Sequence, residues 1–224
     1  DLIISNNVAS DHGGGLNIFN SNPTVTNVVV SKNSGCCGGG INIDQSNVEI
    51  TNCNIIDNQA GSGMLVNGGS NVQITNSIIR NNIGDAEIYV NEGGESNVLT
   101  ISHSNILGGQ ESIFTNSNAN ISWGDGNIDS NPLFCDSEND DYSLDGNSPS
   151  LYASNDSTYI GAYGLGCDRT KWHVSKLGAD SNDGTTNNTF SSIQSAIDAT
   201  NDGDTVLVQP GTYVENINFN GKNI

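Results

Sequence analysis

The groups on this 224-residue chain equipped to do chemistry are five cysteines, three histidines and 25 acidic residues. Cys36 and Cys37 are adjacent in a glycine-rich stretch, where the pair could form a strained vicinal bridge, stay reduced or bind a metal; the sequence leaves all three open. Cys53 falls in an apolar column and reads as a small buried thiol filling core space. Cys135 and Cys167 flank a stretch of little periodicity and are the expected disulfide, a cross-link worth about 3–4 kcal/mol for a loop of that size. The odd count leaves at least one thiol free or paired between chains. Asp180, Asn182 and Asp183, in Asp-x-Asn-Asp-Gly, carry oxygen donors at the spacing of part of a calcium loop, without the distal bidentate Glu such a loop uses. The competing reading is a solvated turn, so the cofactor expectation is none, with calcium as the one candidate.

The elements that position these groups follow from a repeat. Asn27, Asn52, Asn76 and then His103 recur at intervals of 25, 24 and 27 residues, each two positions after an aliphatic residue: Val25, Ile50, Ile74 and Ile101. Two further short alternating runs accompany every unit: Leu16-x-Ile18, Ile41-x-Ile43 and Met64-x-Val66 in one column, Leu2-x-Ile4, Val28-x-Val30 and Cys53-x-Ile55 in another. A period of this size with strand-type alternation and Gly or Asn at the breaks predicts an all-β fold, a right-handed parallel β-helix of three-strand coils of about 25 residues. Asn tolerates the left-handed backbone a coil corner needs, and Asn27, Asn52 and Asn76 are expected to stack as an amide ladder. The runs Gly13–Gly15, Gly38–Gly40 and Gly93-Gly94 mark tight corners; no helix follows them, so they do not cradle phosphate.

After Thr115 the repeat decays into Asn131-Pro-Leu-Phe134, Tyr142-Ser-Leu144, Ser148-Pro149 and Tyr159-Ile-Gly-Ala-Tyr-Gly164. This order resembles the segment that runs off and covers the last coil in β-helix proteins of the pectate-lyase-like superfamily. The run Trp172-His-Val-Ser175, Gly178-Ala-Asp-Ser-Asn-Asp-Gly184, Ile193-Gln-Ser-Ala-Ile197 and Gly203-Asp-Thr-Val-Leu-Val-Gln-Pro-Gly-Thr-Tyr213 is similar to the opening cap of the same proteins. The resemblance implies coils over 1–134, a closing segment and short linker over 135–169, and an N-terminal-type cap with a first coil over 170–224, in permuted order. Physically, Ser191-x-x-Gln194 reads as a capping box, and Ile193, Ala196, Ile197 and Thr200 as one short amphipathic capping helix that plugs a solenoid end. Val206-x-Val208 begins the next coil.

The inversion directs the functional reading. Placing 170–224 ahead of residue 1 would assemble cap, coils and closing segment into one complete β-helix. Asp1, Leu2 and Ile4 on one side, and Val206, Val208, Ile217, Phe219 and Ile224 on the other, are the expected assembly residues, with unpaired strand edges inviting a head-to-tail homopolymer. With no signal peptide visible, the chain is expected to have been processed or cut from something longer.

Six basic against 25 acidic residues give a net charge of −19, which repels nucleic acid and anionic membranes and suits an extracellular or cell-surface setting. No run approaches the 18 apolar residues or so of a membrane span. The resemblance also raises a polysaccharide lyase or hydrolase. A lyase needs gathered outward carboxylates beside a Lys or Arg base, yet the outward column of the first strand is Asn17, Asn42, Leu65, Tyr89 and Phe114 and that of the second Thr24, Glu49, Gln73 and Thr100, with no carboxylate cluster. Lys32 and Arg80 read as residues of separate turns, Asp57 and Asp85 as isolated turn residues, and His12, His103 and His173 as ungrouped, so no catalytic residue is assigned. The expectation is a structural filament subunit rather than an enzyme; a carbohydrate-binding adhesin with polysaccharide as partner is the alternative, resting on Tyr89 and Phe114.

Overall fold

The computed structural model describes residues 2–91, 95–116 and 119–224, so the expectations for Asp1 and for Gly93-Gly94 lie outside the described residues. Strands β1 to β15 build three parallel sheets of five strands each, in the first compact unit, 1–130 with 152–162. The first sheet holds β2 (Leu16–Phe19), β5 (Ile41–Asp44), β8 (Met64–Asn67), β11 (Ile88–Val90) and β14 (Ile113–Thr115). The second holds β3 (Thr24–Thr26), β6 (Asn47–Thr51), β9 (Asn71–Thr75), β12 (Val98–Ser102) and β15 (Asn120–Trp123). The third holds β1 (Leu2–Ser5), β4 (Val28–Ser31), β7 (Asn54–Ile56), β10 (Ile78–Arg80) and β13 (Asn105–Ile106). Every third strand in sequence joins the same sheet, which is the parallel β-helix the repeat predicts.

Register converts the repeat into a core. Ile41 pairs with Met64, which pairs with Ile88; Ile50 pairs with Ile74, which pairs with Ile101; Val30 pairs with Ile55. All are buried in one apolar cluster, each contributing about 1.5–3 kcal/mol by leaving water. Cys53 lies in this cluster, as expected, and burial pushes its thiol up to about 11. Gly39 is required by close approach: a Cβ there would come within 2.2 Å of the Gln59 carbonyl oxygen in the next coil.

Four expectations are corrected here. Asn27, Asn52, Asn76 and His103 do take left-handed backbone, with φ of 56°, 51°, 50° and 47°. They do not form the amide ladder, however: Asn52 Oδ1 is buried without a partner, and Asn76 bonds sideways to Asn155 (Nδ2 to Oδ1, 2.9 Å). The ladder is built one corner further on. Asn7 Nδ2 donates to Asn33 Oδ1 (2.9 Å), Asn33 Nδ2 to Asn58 Oδ1 (3.1 Å), Asn58 Nδ2 to Asn82 Oδ1 (2.9 Å), and Asn82 Nδ2 to Glu87 Oε2 (2.6 Å). Each oxygen also accepts the backbone N–H of the residue below it, which satisfies a corner donor no strand partner reaches. Burial raises the Glu87 carboxyl above its ordinary range against the pull of the Asn82 hydrogen bonds.

Second, Arg80 is in strand β10, not a turn; its buried guanidinium bonds Asn105 Oδ1 (2.9 Å) and Asp129 Oδ1 (3.1 Å). Third, residues 152–162 flank the third sheet instead of covering the last coil. Ala162 N–H donates to Asn54 Oδ1 (3.0 Å) and Gly161 N–H to the Asn76 carbonyl (2.8 Å), on middle coils. That cover explains why Val29 and Ile78, on the outward face of the sheet, are as buried as the core. Gly161, at φ 114°, leaves no room for a Cβ against Ile78.

The second compact unit comprises 131–151 and 163–224, so 131–151 fold with the segment that resembles an opening cap. It contains β16 (Phe134–Asp136), β17 (Asp141–Asp145) and β18 (Leu165–Cys167) in one small sheet, and β19 (Lys171–Val174) paired in parallel with β20 (Thr205–Val208). Helix α1, Ile193–Ala199, buries Ala196, Ile197 and Ala199. Its cap is the fourth correction: Ser192, not Ser191, accepts from Ser195 N–H (3.1 Å), and Gln194 turns to Asp198 and Asn218 instead of back to the cap.

Candidate functional site

The residues expected to mediate assembly lie at two apolar edges, one in each unit. In the first unit, β1, β2 and β3 are the terminal strands of their sheets. The core cluster ends on Ile4, Leu16 and Val25, which are only partly buried, and Leu2 is 54% exposed. These side chains continue columns that are fully buried one coil further on, because only one of their two stacking neighbours is present among the described residues.

In the second unit, β20 pairs with β19 on one side only. Val208 is 43% exposed, Ile217 44% and Phe219 54%, while Val206 and Ile224 are half-buried. The run 209–224 forms no strand, yet it is held along helix α1 by its own side chains. Glu215 accepts from the free N–H groups of Ile193 (3.0 Å) and Gln194 (2.9 Å) at the helix start, and Lys222 Nζ donates to the carbonyls of Ile197 (2.8 Å) and Asp198 (2.9 Å) at its end. An anion at the N-terminus and a cation at the C-terminus both complement the helix dipole. The apolar side chains of the run are thereby presented on a fixed backbone.

Within the second unit, Arg169, in the short stretch between β18 and β19, links the small sheet to the pair β19 and β20. Its guanidinium donates to the carbonyls of Phe134 and Cys135 (2.9 Å each) and to that of Asp183, and lies 4.8 Å from the Trp172 ring centroid. Asp145, fully buried, accepts the Arg169 backbone N–H (3.1 Å) and faces its Nε at 3.7 Å. Burial raises the Asp145 carboxyl, opposed by the Asn147 N–H and by Arg169. Leu133, Trp172, Val174, Phe190, Ala196 and Ala199 share one apolar cluster, and Trp172 Nε1 donates to Asp204 Oδ2 (3.0 Å). Cys135 and Cys167 form the expected disulfide, with Cα atoms 5.9 Å apart. Neither Arg169 nor the grip of Glu215 and Lys222 on α1 was identified from the sequence. The only available signal was the shortness of the linker and the fixed sign of its charge.

The calcium candidates are occupied by the turn itself. Asp180 Oδ1 accepts from Ser191 N–H, Ser191 Oγ and Ser192 N–H; burial opposes its ionisation, but these hydrogen bonds outweigh it and hold the carboxyl below its ordinary range. Asp183 accepts from Thr185 N–H and from Ser137, and Asn182 Nδ2 donates to the Thr189 carbonyl. The carbonyls of Asp180 and Asn182 accept from Asn131 Nδ2. A calcium ion here would compete with these donors for the same side-chain oxygens. Among the described residues no group of three or more His, Cys, Asp or Glu has the arrangement of a metal site.

On the outward face of the first sheet, Tyr89 and Phe114 meet edge to face at 5.2 Å, with Phe114 52% exposed. Asn116 Nδ2 bonds Asn91 Oδ1 (2.9 Å) beside them. Comparison of the chain with family models, with curated proteins and with solved structures finds no match.

Proposed function

We propose that this chain is a structural module of an extracellular or cell-surface filament, in which the cap edge of one module seats on the exposed coil edge of the next, head to tail. The observation that carries this reading is the pair of unfilled apolar strand edges, Leu2, Ile4, Leu16 and Val25 on one unit and Val208, Ile217 and Phe219 on the other. Edges of this kind pair with another chain or aggregate unless covered. A contact between unlike edges of identical copies is heterologous, and propagates as an open filament unless the rotation closes a ring. The permuted order of closing segment and cap, similar to the pectate-lyase-like proteins, gives the same arrangement for separate subunits and for a covalent tandem array. The Arg169 anchorage supports stiffness, because the residues between Cys167 and Lys171 cannot act as a free linker while Asp145 and the Phe134 carbonyl hold them. The disulfide and the charge of −19 fit an oxidising exterior and argue against nucleic acid or anionic lipid as partner. No helix of the described residues is long and apolar enough to cross a membrane.

Electron microscopy of the purified chain is expected to show filaments, and a denaturing gel separates the two forms: a band near 23.4 kDa for subunits, a far larger one for a natural tandem array. Deleting 206–224 is expected to leave soluble material that does not polymerise. A chain that stays monomeric at every concentration tested refutes the proposal. A second reading, a carbohydrate-binding adhesin module, is favoured by the exposed Phe114 beside Tyr89 and the Asn91 and Asn116 amides; it predicts polysaccharide binding that Phe114→Ala abolishes.

A further inference from the structure

We propose that Cys36 and Cys37 form a reversible thiol–disulfide site that reacts with low-molecular-weight disulfides of the glutathione class. The two Sγ atoms lie 2.8 Å apart, Cys36 is exposed and Cys37 half-buried. With Leu65, Asp85 and Tyr89 they border a surface cavity of about 120 Å³, so the pair is reachable from solvent. Its backbone is fixed within the stack: Cys36 N–H donates to the Asp11 carbonyl (3.2 Å), and Gly13 N–H to the Cys37 carbonyl (3.1 Å). Bridge formation therefore requires side-chain rotation with the Cα atoms already held.

The chain sorts its five cysteines into three chemical kinds. Cys135 and Cys167 meet at a Cα separation of 5.9 Å, inside the range disulfides favour. Cys53 is buried and screened from reagents. Cys36 and Cys37, as sequence neighbours across a trans peptide, have Cα atoms about 3.8 Å apart, shorter than the roughly 4.4 Å at which unstrained bridges begin. A bridge between them is strained and exposed, and such bridges are reduced more readily than structural ones.

The exposed Cys36 thiolate attacks one sulfur of the small disulfide, forming a mixed disulfide and releasing one small thiolate. Cys37 Sγ then attacks Cys36 Sγ and expels the second small thiolate. Two protein thiols are oxidised, one small disulfide is reduced to two thiols, and the two protein protons end on the released thiolates. In the reduced pair the hydrogen bond with Cys36, then burial, then the charges of Cys36, Asp11 and Asp85, push the Cys37 thiol up to about 11. Once Cys36 carries the small thiol its contribution to this rise is gone; ring closure still accelerates as pH rises, since the thiolate is the nucleophile.

The test equilibrates the whole chain in buffers of graded reduced-to-oxidised glutathione, quenches with acid, alkylates and maps the peptides by mass. The peptide carrying Cys36 and Cys37 is expected to lose two hydrogens reversibly, with an equilibrium constant for reduction at least about tenfold more favourable than that of Cys135–Cys167. Cys53 is expected to be alkylated only in denaturant, and C37S to retain glutathione on Cys36. The proposal is overturned if the pair stays fully alkylatable in oxidised glutathione, if the wild type accumulates glutathione on Cys36 without closing the ring, or if the bridge resists reduction as strongly as Cys135–Cys167.

Discussion

Truncating Asn58 to alanine isolates the contribution of the interior amide ladder. Asn58 is fully buried; its Oδ1 accepts from Asn33 N–H (3.0 Å) and Asn33 Nδ2 (3.1 Å), and its Nδ2 donates to the Val30 carbonyl (2.9 Å) and Asn82 Oδ1 (2.9 Å). Alanine removes all four contacts and leaves the Asn33 backbone N–H and one of its two Nδ2 hydrogens unpaired, the other still held by the Ile4 carbonyl (2.9 Å); each lost bond costs about 1–3 kcal/mol, with a smaller loss at Val30. The expected destabilisation is about 3–6 kcal/mol, the lower end applying if a water enters the vacated space. Asn52→Ala is the matched control. It removes an oxygen that already lacks a partner and puts alanine at φ 51°, a penalty of about 1–2 kcal/mol. Urea denaturation followed by circular dichroism, with both variants and the wild type in parallel, measures the difference. If Asn58→Ala loses no more stability than Asn52→Ala, the ladder does not carry the load assigned to it.

Arg169→Ala leaves the Asp145 carboxyl buried without its cation and is expected to cost about 3–5 kcal/mol, seen as faster amide exchange in the second unit. Glu87 titrates above the ordinary carboxyl range in the fold, so the native state binds more protons than the unfolded state between the two values. Stability is therefore expected to fall as pH rises from about 4.3 through the raised folded value, and Glu87→Gln, which keeps an acceptor for Asn82, is expected to remove that slope in pH-dependent denaturation. Calorimetric titration with calcium is expected to give no heat that Asp180→Ala abolishes; a heat that does vanish in this variant would restore the calcium site. Reducing Cys135–Cys167, with 32 residues of sequence separation, is expected to cost about 3–4 kcal/mol in thermal unfolding.

The sheet columns were legible because alternation and a period near 25 residues act together: Val25, Ile50, Ile74 and Ile101 can share one interior face only if each unit is one coil. The disulfide was legible from the lack of periodicity between its cysteines. The amide ladder was misplaced, although Asn7, Asn33, Asn58 and Asn82 recur at 26, 25 and 24 residues, the same rhythm as the corner asparagines. Left-handed backbone tolerance pointed to Asn27, Asn52 and Asn76, but nothing in residue type reveals which of two asparagine columns aims its amides inward. Glu215 at the start of helix α1, and residues 152–162 against the third sheet, depend on contacts far apart in the chain that carry no local pattern. Arg80 read as a turn residue because a guanidinium buried in a strand depends on Asp129, a partner 49 residues away.

The interior ladder is a row of amides all pointing one way, each N–H₂ toward the Glu87 end and each carbonyl oxygen toward Asn7, so their dipoles add along the stack. Glu87 places a carboxylate at the positive pole. At the other pole Asn7 Oδ1 accepts from none of the described residues, and it stands on the same edge as Leu2 and Ile4. A neighbour that extended the stack past this rung, as proposed, would pair best by bringing an N–H or O–H donor. In the proposed filament, two such edges placed face to face would set lone pairs against lone pairs, so the direction of the amide column favours an unlike end over a reversed joint.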